Sequence, residues 1–319
     1  MNFLLRRILT ALITMFLVSV FCFLVFSVIR GDPASFLAGI DADSGQIEAL
    51  REDLGLNKSV FARYFDWLSR ILRGDSGNSL FFRGEAIQAM ITQRLPVSFT
   101  LALLSLLLIL LISAPVSLLT VKREGNYTDR IINILTAAGI SSPGFFLGLL
   151  FVFFFGFILK IFIPGRYIDY NENFFGFLGC MFFPALSIAI PNAAIMIKFL
   201  RGSLFHELQS DYVRTARSKG ASRLYIMRVH VLKNACVPAI TVFGMIIAEV
   251  FAGSIVIEQV FSIPGIGRLL IASISSRDYP LIQALMVYIA FMVVTANTLA
   301  DIAIMIIDPR IRPGHRIKQ

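Results

Sequence analysis

The sequence predicts an all-α polytopic membrane protein with six transmembrane helices, and three observations carry that expectation. Of 319 residues, 57% are hydrophobic and 15% charged, with a mean hydropathy of +0.78, whereas soluble domains carry about 25% charged residues. The apolar residues gather into six runs, at 8–29, 97–121, 131–159, 174–197, 235–257 and 281–307. Each is long enough for the roughly 20 residues that a helix needs to cross hydrocarbon. The basic residues are unevenly shared among the segments between these runs, as an oriented polytopic protein requires.

The first run, 8–29, holds 22 uncharged residues behind Arg6 and Arg7 and before Arg30. It is longer than the apolar core of a secretory signal and lacks a small-residue cleavage site, so 1–29 is expected to remain as a first helix. Segment 30–96 is polar, with amphipathic pieces. Phe61, Tyr64, Phe65, Leu68, Ile71 and Leu72 recur at helical spacing, as do Ile87, Met90 and Ile91. Gly74, Asp75, Ser76 and Gly77 read as a turn. The core, 97–307, contains the other five runs. Pro143 and Gly144 are expected to kink the third, and Pro184 and Pro191 to break the fourth. The fifth carries Glu249; the sixth carries Asn297 and Asp301, one turn apart and suited to a polar contact between helices. The final stretch, 308–319, is a polar tail.

With the amino terminus inside, the inner segments hold a net charge of +11 and the outer ones −1. Both termini and the loop at 198–234 are therefore expected on the cytoplasmic side. The overall +9 is a sign of topology and gives no reason to expect nucleic-acid binding. Cys22, Cys180 and Cys236 sit singly in or beside apolar runs, and His206, His230 and His315 form no ligand pattern, so no metal site is expected. Without a GxxxxGK[ST] phosphate loop the chain is not expected to hydrolyse ATP, and no catalytic residue is assigned.

The largest polar island of the second half is 210–238, SDYVRTARSKGASRLYIMRVHVLKNACVP. It reads as two short helices around a tight corner. Ser210 and Ser222 are candidate hydroxyl caps, and Gly220 is a left-handed stop. Leu224, Met227 and Val231 share one face of the second helix, beside Tyr225, Val229 and Leu232, and Pro238 marks the passage into the next span. Basic loops alone would fix topology. Two capped helices exceed that need and suggest a docking surface for a soluble protein. Between the fifth and sixth runs, Phe261-Ser262-Ile263-Pro264-Gly265-Ile266-Gly267 leads into a short amphipathic stretch, expected to form a turn and a helix dipping into the outer face.

Five local motifs give the chain a family likeness. They are Gly31-Asp32-Pro33-Ala34; Leu54-Gly55-Leu56-Asn57-Lys58; Arg94-Leu95-Pro96; Ile257-Glu258-Gln259-Val260-Phe261-Ser262-Ile263-Pro264-Gly265-Ile266-Gly267 with Arg277-Asp278-Tyr279-Pro280; and Asp308-Pro309-Arg310-Ile311-Arg312. In this order the chain resembles, over nearly its whole length, the permease subunits of binding-protein-dependent ABC importers. Within them it is most similar to the B-type subunit of the oligopeptide, dipeptide and nickel group. The island resembles that family's coupling loop, with Ala216 and Gly220 at the second Ala and the Gly of the Glu-Ala-Ala motif. Arg214 and Thr215 replace its Glu and first Ala, as the subgroup's Asp-Tyr-Val-Arg-Thr-Ala-Arg-x-Lys-Gly pattern at 211–220 has it.

The resemblance implies a type I importer permease fold with cytoplasmic coupling helices, in a bacterial inner membrane. It also implies a second, related permease, two cytoplasmic subunits that bind ATP and Mg, and an extracytoplasmic solute-binding protein, with membrane lipid around the spans. Asp211, Tyr212, Arg214, Ala216, Gly220, Ser222 and Leu224 are the expected ATPase-docking residues. Glu249, Glu258, Phe261, Pro264 and Gly265 are candidates for the pathway and its gate. Peptides are the expected cargo and nickel or a metal chelate the alternative. An ion-coupled transporter is disfavoured by the scarcity of membrane-embedded charge and of any evident repeat, and an intramembrane enzyme by the lack of a nucleophile or metal constellation.

Overall fold

The computed structural model describes residues 2–28, 43–53, 57–82 and 84–307. The motifs at 31–34, 54–56 and 308–312 and the tail at 308–319 lie outside the described residues. Helices follow one another along the chain: α1 (Asn2–Val28), α2 (Ser44–Asp53), α3 (Val60–Leu72), α4 (Ile87–Lys122) and α5 (Tyr127–Ser141). After these come α6 (Gly144–Ile158), α7 (Phe174–Leu208), α8 (Asp211–Ser218), α9 (Arg223–Val260), α10 (Ile266–Ser275) and α11 (Tyr279–Ile307). Among the described residues the isolated bridge is Asn78 to Ala86, and no sheet forms. Five of the helices, α1, α4, α7, α9 and α11, are long and apolar enough to cross a bilayer, and α5 with α6 makes a sixth crossing if the bent pair is one span.

The chain divides into two compact units. One is built on Val97–Arg268 with the described parts of Met1–Ile8 and Thr295–Gln319, the other on Leu9–Pro96 and Leu269–Val294. In the first unit α7 is the central post, packed against α5, α6 and α9. The expected break at Pro184 and Pro191 does not occur; α7 runs through both. Each proline forfeits one amide, and local side chains supply other bonds: Ser187 Oγ donates to Pro184 O at 2.7 Å and Asn192 Nδ2 to Ile188 O at 2.9 Å. Enclosure by neighbouring helices makes such losses tolerable.

The third run is not one kinked helix. Its halves meet at 102°. Pro143 forces Ser142 into an extended conformation (φ −97°, ψ 117°) and itself caps α6. Close packing on α7 fixes the corner. A Cβ on Gly139 would come 2.9 Å from the Ala194 Cβ, and one on Gly144 would come 3.2 Å from Ser187 O, whose helical donor Pro191 has removed. In this unit Arg7 also pairs with Asp301, giving the sixth run's carboxylate a partner on the first helix.

Other boundaries move as well. The helix that carries the second run begins at Ile87, ten residues ahead of that run, so Arg94, Leu95 and Pro96 lie within α4, and Ile87, Met90 and Ile91 are buried. The island's second helix is not separate. Arg223–Tyr225 passes through one wide π-helical stretch, Ile226–Val231, into Leu232–Val260, and Pro238 falls inside the helix.

The second unit orders the segment before α4. Ser59 caps α3 by accepting from the Ala62 amide, and the Tyr64 and Ser19 hydroxyls bond at 2.8 Å amid Phe16, Phe23 and Trp67. The turn at 74–77 has Gly74 and Gly77 at φ +80° and +78°. The Gly77 amide, and then the Arg70 guanidinium, hold the Asp75 carboxyl below its ordinary range. Asp278, buried, accepts from Ser79 Oγ (2.5 Å), the Phe81 amide (3.2 Å) and the Leu281 amide (3.3 Å), and so caps α11.

Gly139→Val is expected to lower the thermal stability of the detergent-solubilised protein by about 1–3 kcal/mol, the usual cost of overpacking. Gly179→Ala should leave it nearly unchanged, because a Cβ there meets nothing within 4 Å. Thermal unfolding of both variants checks the contrast.

Candidate functional site

Two structured features stand at opposite ends of α9, a run of 38 residues that is about 55 Å long at 1.5 Å per residue. At its start lies the island. Helix α8 ends at a left-handed glycine: Gly220 has φ +80°, its amide bonds Arg217 O at 2.9 Å, and the next amide, Ala221, reaches back to Ala216 O at 3.1 Å. This is a Schellman stop, and it explains the spacing of Ala216 and Gly220, because the carbonyl three positions before the cap must meet the amide just past the glycine. Ser222 then caps α9, its Oγ accepting from Tyr225 N at 3.3 Å. Ser210, by contrast, makes no side-chain cap. Its hydroxyl donates to Glu207 O at 2.5 Å, binding the end of α7 to the start of α8.

Tyr212 ties the island together. Its hydroxyl donates to Glu207 Oε2 at 2.5 Å and accepts from Asn234 Nδ2 at 3.2 Å, so one side chain joins the end of α7 and the start of α8 to the part of α9 beyond Val231. Val213 is fully buried, and Ile226, Met227 and Val231 are buried too. Half of the expected apolar face thus goes inside. Leu224, Tyr225 and Val229 remain open, 52%, 53% and 44% exposed. Arg214, Arg217 and Lys219 on α8 and Arg223 and Arg228 on α9 are exposed as well, with Ala216 half-buried. Asp211 pairs with Arg214 at 3.5 Å, both side chains largely in the open, an exposed pair that contributes little to stability.

At the other end of α9 Glu258 is completely buried. Its carboxylate accepts from Ser98 Oγ at 2.6 Å and from the amides of Arg268 (3.1 Å) and Gly267. Ser98 Oγ in turn accepts from Ile266 N at 2.8 Å. The carboxylate therefore sits at the amino terminus of α10, where unpaired amides and the helix dipole favour negative charge. A Cβ on Gly265 would overlap this carboxylate, and one on Gly267 would collide with the Ile255 backbone. Glycine is required at both positions by that approach. Phe261, buried, closes the turn against Gly148 and lies 6.1 Å from the Phe162 ring, while Pro264 is half-buried and Arg268 Nη1 donates to Ser262 O at 2.6 Å. Glu258, Phe261 and Gly265 thus form an internal clamp, and Glu249 alone of the pathway candidates lies on an open face.

Sequence reasoning missed three contacts. Ser98 gives no signal of its own until the turn is folded against it. Asp278 with Ser79 joins residues 199 positions apart. Arg201 reaches Asp129 at 3.0 Å and Asn133 at 2.6 Å, locking the start of α5 to α7; the sequence signals only the two polar residues, Asp129 and Asn133, four apart at the start of the third run. Among the described residues no group of three His, Cys, Asp or Glu is placed to hold a metal.

The model of the family described as binding-protein-dependent transport system inner membrane component matches residues 113–313, and its amino-terminal companion matches 1–102. A probable peptide ABC transporter permease of Sinorhizobium fredii is 35% identical over 97% of this chain and 99% of its own. An oligopeptide transport system permease of Bacillus subtilis is 33% identical over 97% and 98%. A glutathione transport system permease of Escherichia coli is 32% identical over 98% and 99%.

Gly265→Ala should push the Glu258 carboxylate off its amides and lower thermal stability by about 1–3 kcal/mol, and Ser98→Ala, which leaves both Glu258 and the Ile266 amide short of a buried partner, by about 1–3 kcal/mol as well. A Gly265→Ala protein that melts with the wild type in detergent would show that the clamp does not hold the turn.

Proposed function

The chain belongs to the binding-protein-dependent transport system inner membrane components, the permeases of ABC importers, and from that membership we propose that it forms half of a peptide pathway across the bacterial inner membrane. A second, related permease supplies the other half. Two ATPase subunits, holding ATP and Mg, dock on the island from the cytoplasm, where both termini also lie, and a solute-binding protein delivers cargo from outside. The similar chains named for peptide, oligopeptide and glutathione transport support peptides over nickel.

The observation that carries this reading is the island's construction. An open patch of Leu224, Tyr225 and Val229, on a stretch that also exposes Arg223 and Arg228, stands on the first turns of the helix that later holds the Glu258 turn. A subunit that grips the patch moves α9 as a rod. Closure of the ATPases on ATP draws the island, α9 tilts, and the turn at 261–267, clamped to α9 through Glu258, follows. The loaded binding protein must favour the outward-facing state by contacts of its own, since only differential binding shifts such an equilibrium. Tyr212 and the Gly220 corner keep the island rigid enough to transmit the displacement. Glu249, on the open face of α9, lines the pathway.

Gly220 tests the lever. A Cβ there meets nothing within 4 Å, so steric room is not the issue; the positive φ is. Gly220→Val strains the backbone and distorts the corner, whereas Gly220→Asn tolerates a left-handed conformation. In the reconstituted complex Gly220→Val should insert normally yet lose the ATP hydrolysis stimulated by loaded binding protein, with Gly220→Asn retaining most of it. Full stimulation in Gly220→Val would refute the lever.

A further inference from the structure

Between Ala235 and Ile257 the exposed residues of α9 are not scattered. Thr241, Met245, Glu249, Ala252, Gly253 and Val256, with Pro238 before them, follow one another at three- and four-residue steps and make a single open stripe beside the buried one. Glu249 lies fourteen residues beyond Ala235 and eight before Ile257, about 21 and 12 Å along the helix, well inside hydrocarbon depth. Among the described residues no hydrogen bond or ion pair engages it.

A carboxylate at that depth does not face lipid, because lipid offers it neither water nor a donor. The stripe therefore looks onto water or onto another polar surface. Its other members say which. Met245 is 62% exposed, Val256 47%, and Gly253 has open space at its Cβ position. Methionine is the side chain that adapts to partners of varied shape, and a flat, small, adaptable apolar wall around one fixed negative charge suits a changing guest better than a permanent interface. Cargo with varied side chains but a constant cationic group fits such a wall.

We propose that Glu249 is the point in the pathway that recognises an alkylammonium group on the passing cargo, an inference that rests on the peptide-pathway reading above. In peptides that group is the free amino terminus, or a lysine side chain. The carboxylate holds it by a charge-assisted hydrogen bond while Met245 and Val256 accommodate the neighbouring side chains.

The test is uptake by cells whose transporter carries this chain as wild type, Glu249→Gln or Glu249→Asp, with trialanine, N-acetyl-trialanine and N-acetyl-Ala-Lys-Ala as probes. Glu249→Gln should lower the maximal rate for trialanine roughly tenfold, the loss expected of one hydrogen bond to a charged group, while Glu249→Asp largely restores it and N-acetyl-trialanine is unaffected by either. A parallel loss with N-acetyl-Ala-Lys-Ala shows that a lysine side chain is read too; no loss assigns recognition to the amino terminus. Equal loss with every probe, or wild-type uptake of trialanine by Glu249→Gln, overturns the proposal. If the wild type takes up none of the three, the peptide reading fails and this inference with it. Independently, Met245→Cys in a chain freed of Cys22, Cys180 and Cys236 should react with a charged, membrane-impermeant thiosulfonate; an inert thiol means that lipid or the second permease covers the stripe, and contradicts the proposal.

Discussion

Continuity of α9 is the constraint on which the rest of the structure depends. A helix keeps its backbone amides and carbonyls paired within itself, which is why it survives in hydrocarbon and why it is stiff. Here that stiffness is carried across three weak places: the Ser222 cap, the π-helical stretch at Ile226–Val231, and Pro238. At each, side chains or packing substitute for what the backbone lacks. Ser222 accepts an unpaired amide, and Met227 and Val231 bury the face of the wide stretch. Ala235 and Ala239, both buried, bracket the proline on the packed side of the helix. Across the first two the Tyr212–Asn234 bond also joins the island to the later part of α9, whereas at Pro238 continuity of the helix itself carries the connection to the turn at 261–267.

The two ends of the rod are secured by different chemistry, suited to different surroundings. At the island the tie is Tyr212, a hydroxyl shared between Glu207 and Asn234, in a setting rich in charge and open to solvent. At the other end the tie is a wholly buried carboxylate on backbone amides and one serine. Removing a partner from a buried, charge-bearing network costs more than removing one from an exposed pair, because the stranded group stays out of water. The island is the end that leaves apolar surface open, in Leu224, Tyr225 and Val229.

Much of this was legible in the sequence because membrane physics writes itself into composition. Spans, the Gly220 corner, the Ser222 cap and the turn before α10 follow from apolar runs and from residues with few conformational alternatives. Where reading and structure part, tertiary contact decided. Pro184 and Pro191 should end a helix in water, but α7 is enclosed on several sides and passes through them. Pro143 was expected to kink its helix and instead turns it through 102°, since the glycines beside it allow α5 and α6 to pack directly on α7. Ser210 looked like a cap, yet the nearby Glu207 carbonyl captures its hydroxyl. The Ser98–Glu258 pair could not be read at all, being 160 residues apart in sequence with nothing in either neighbourhood to point to the other.

The claim that most needs direct measurement is that the patch at Leu224 lies on the cytoplasmic side and is the surface gripped by an ATPase. A single cysteine at Leu224, in a chain without its native cysteines, should resist an impermeant maleimide in intact cells. It should react in inverted vesicles stripped of peripheral subunits and become protected when the ATPase subunits are restored. Reaction from the outside of intact cells, or labelling in vesicles that the ATPase does not slow, would contradict the account.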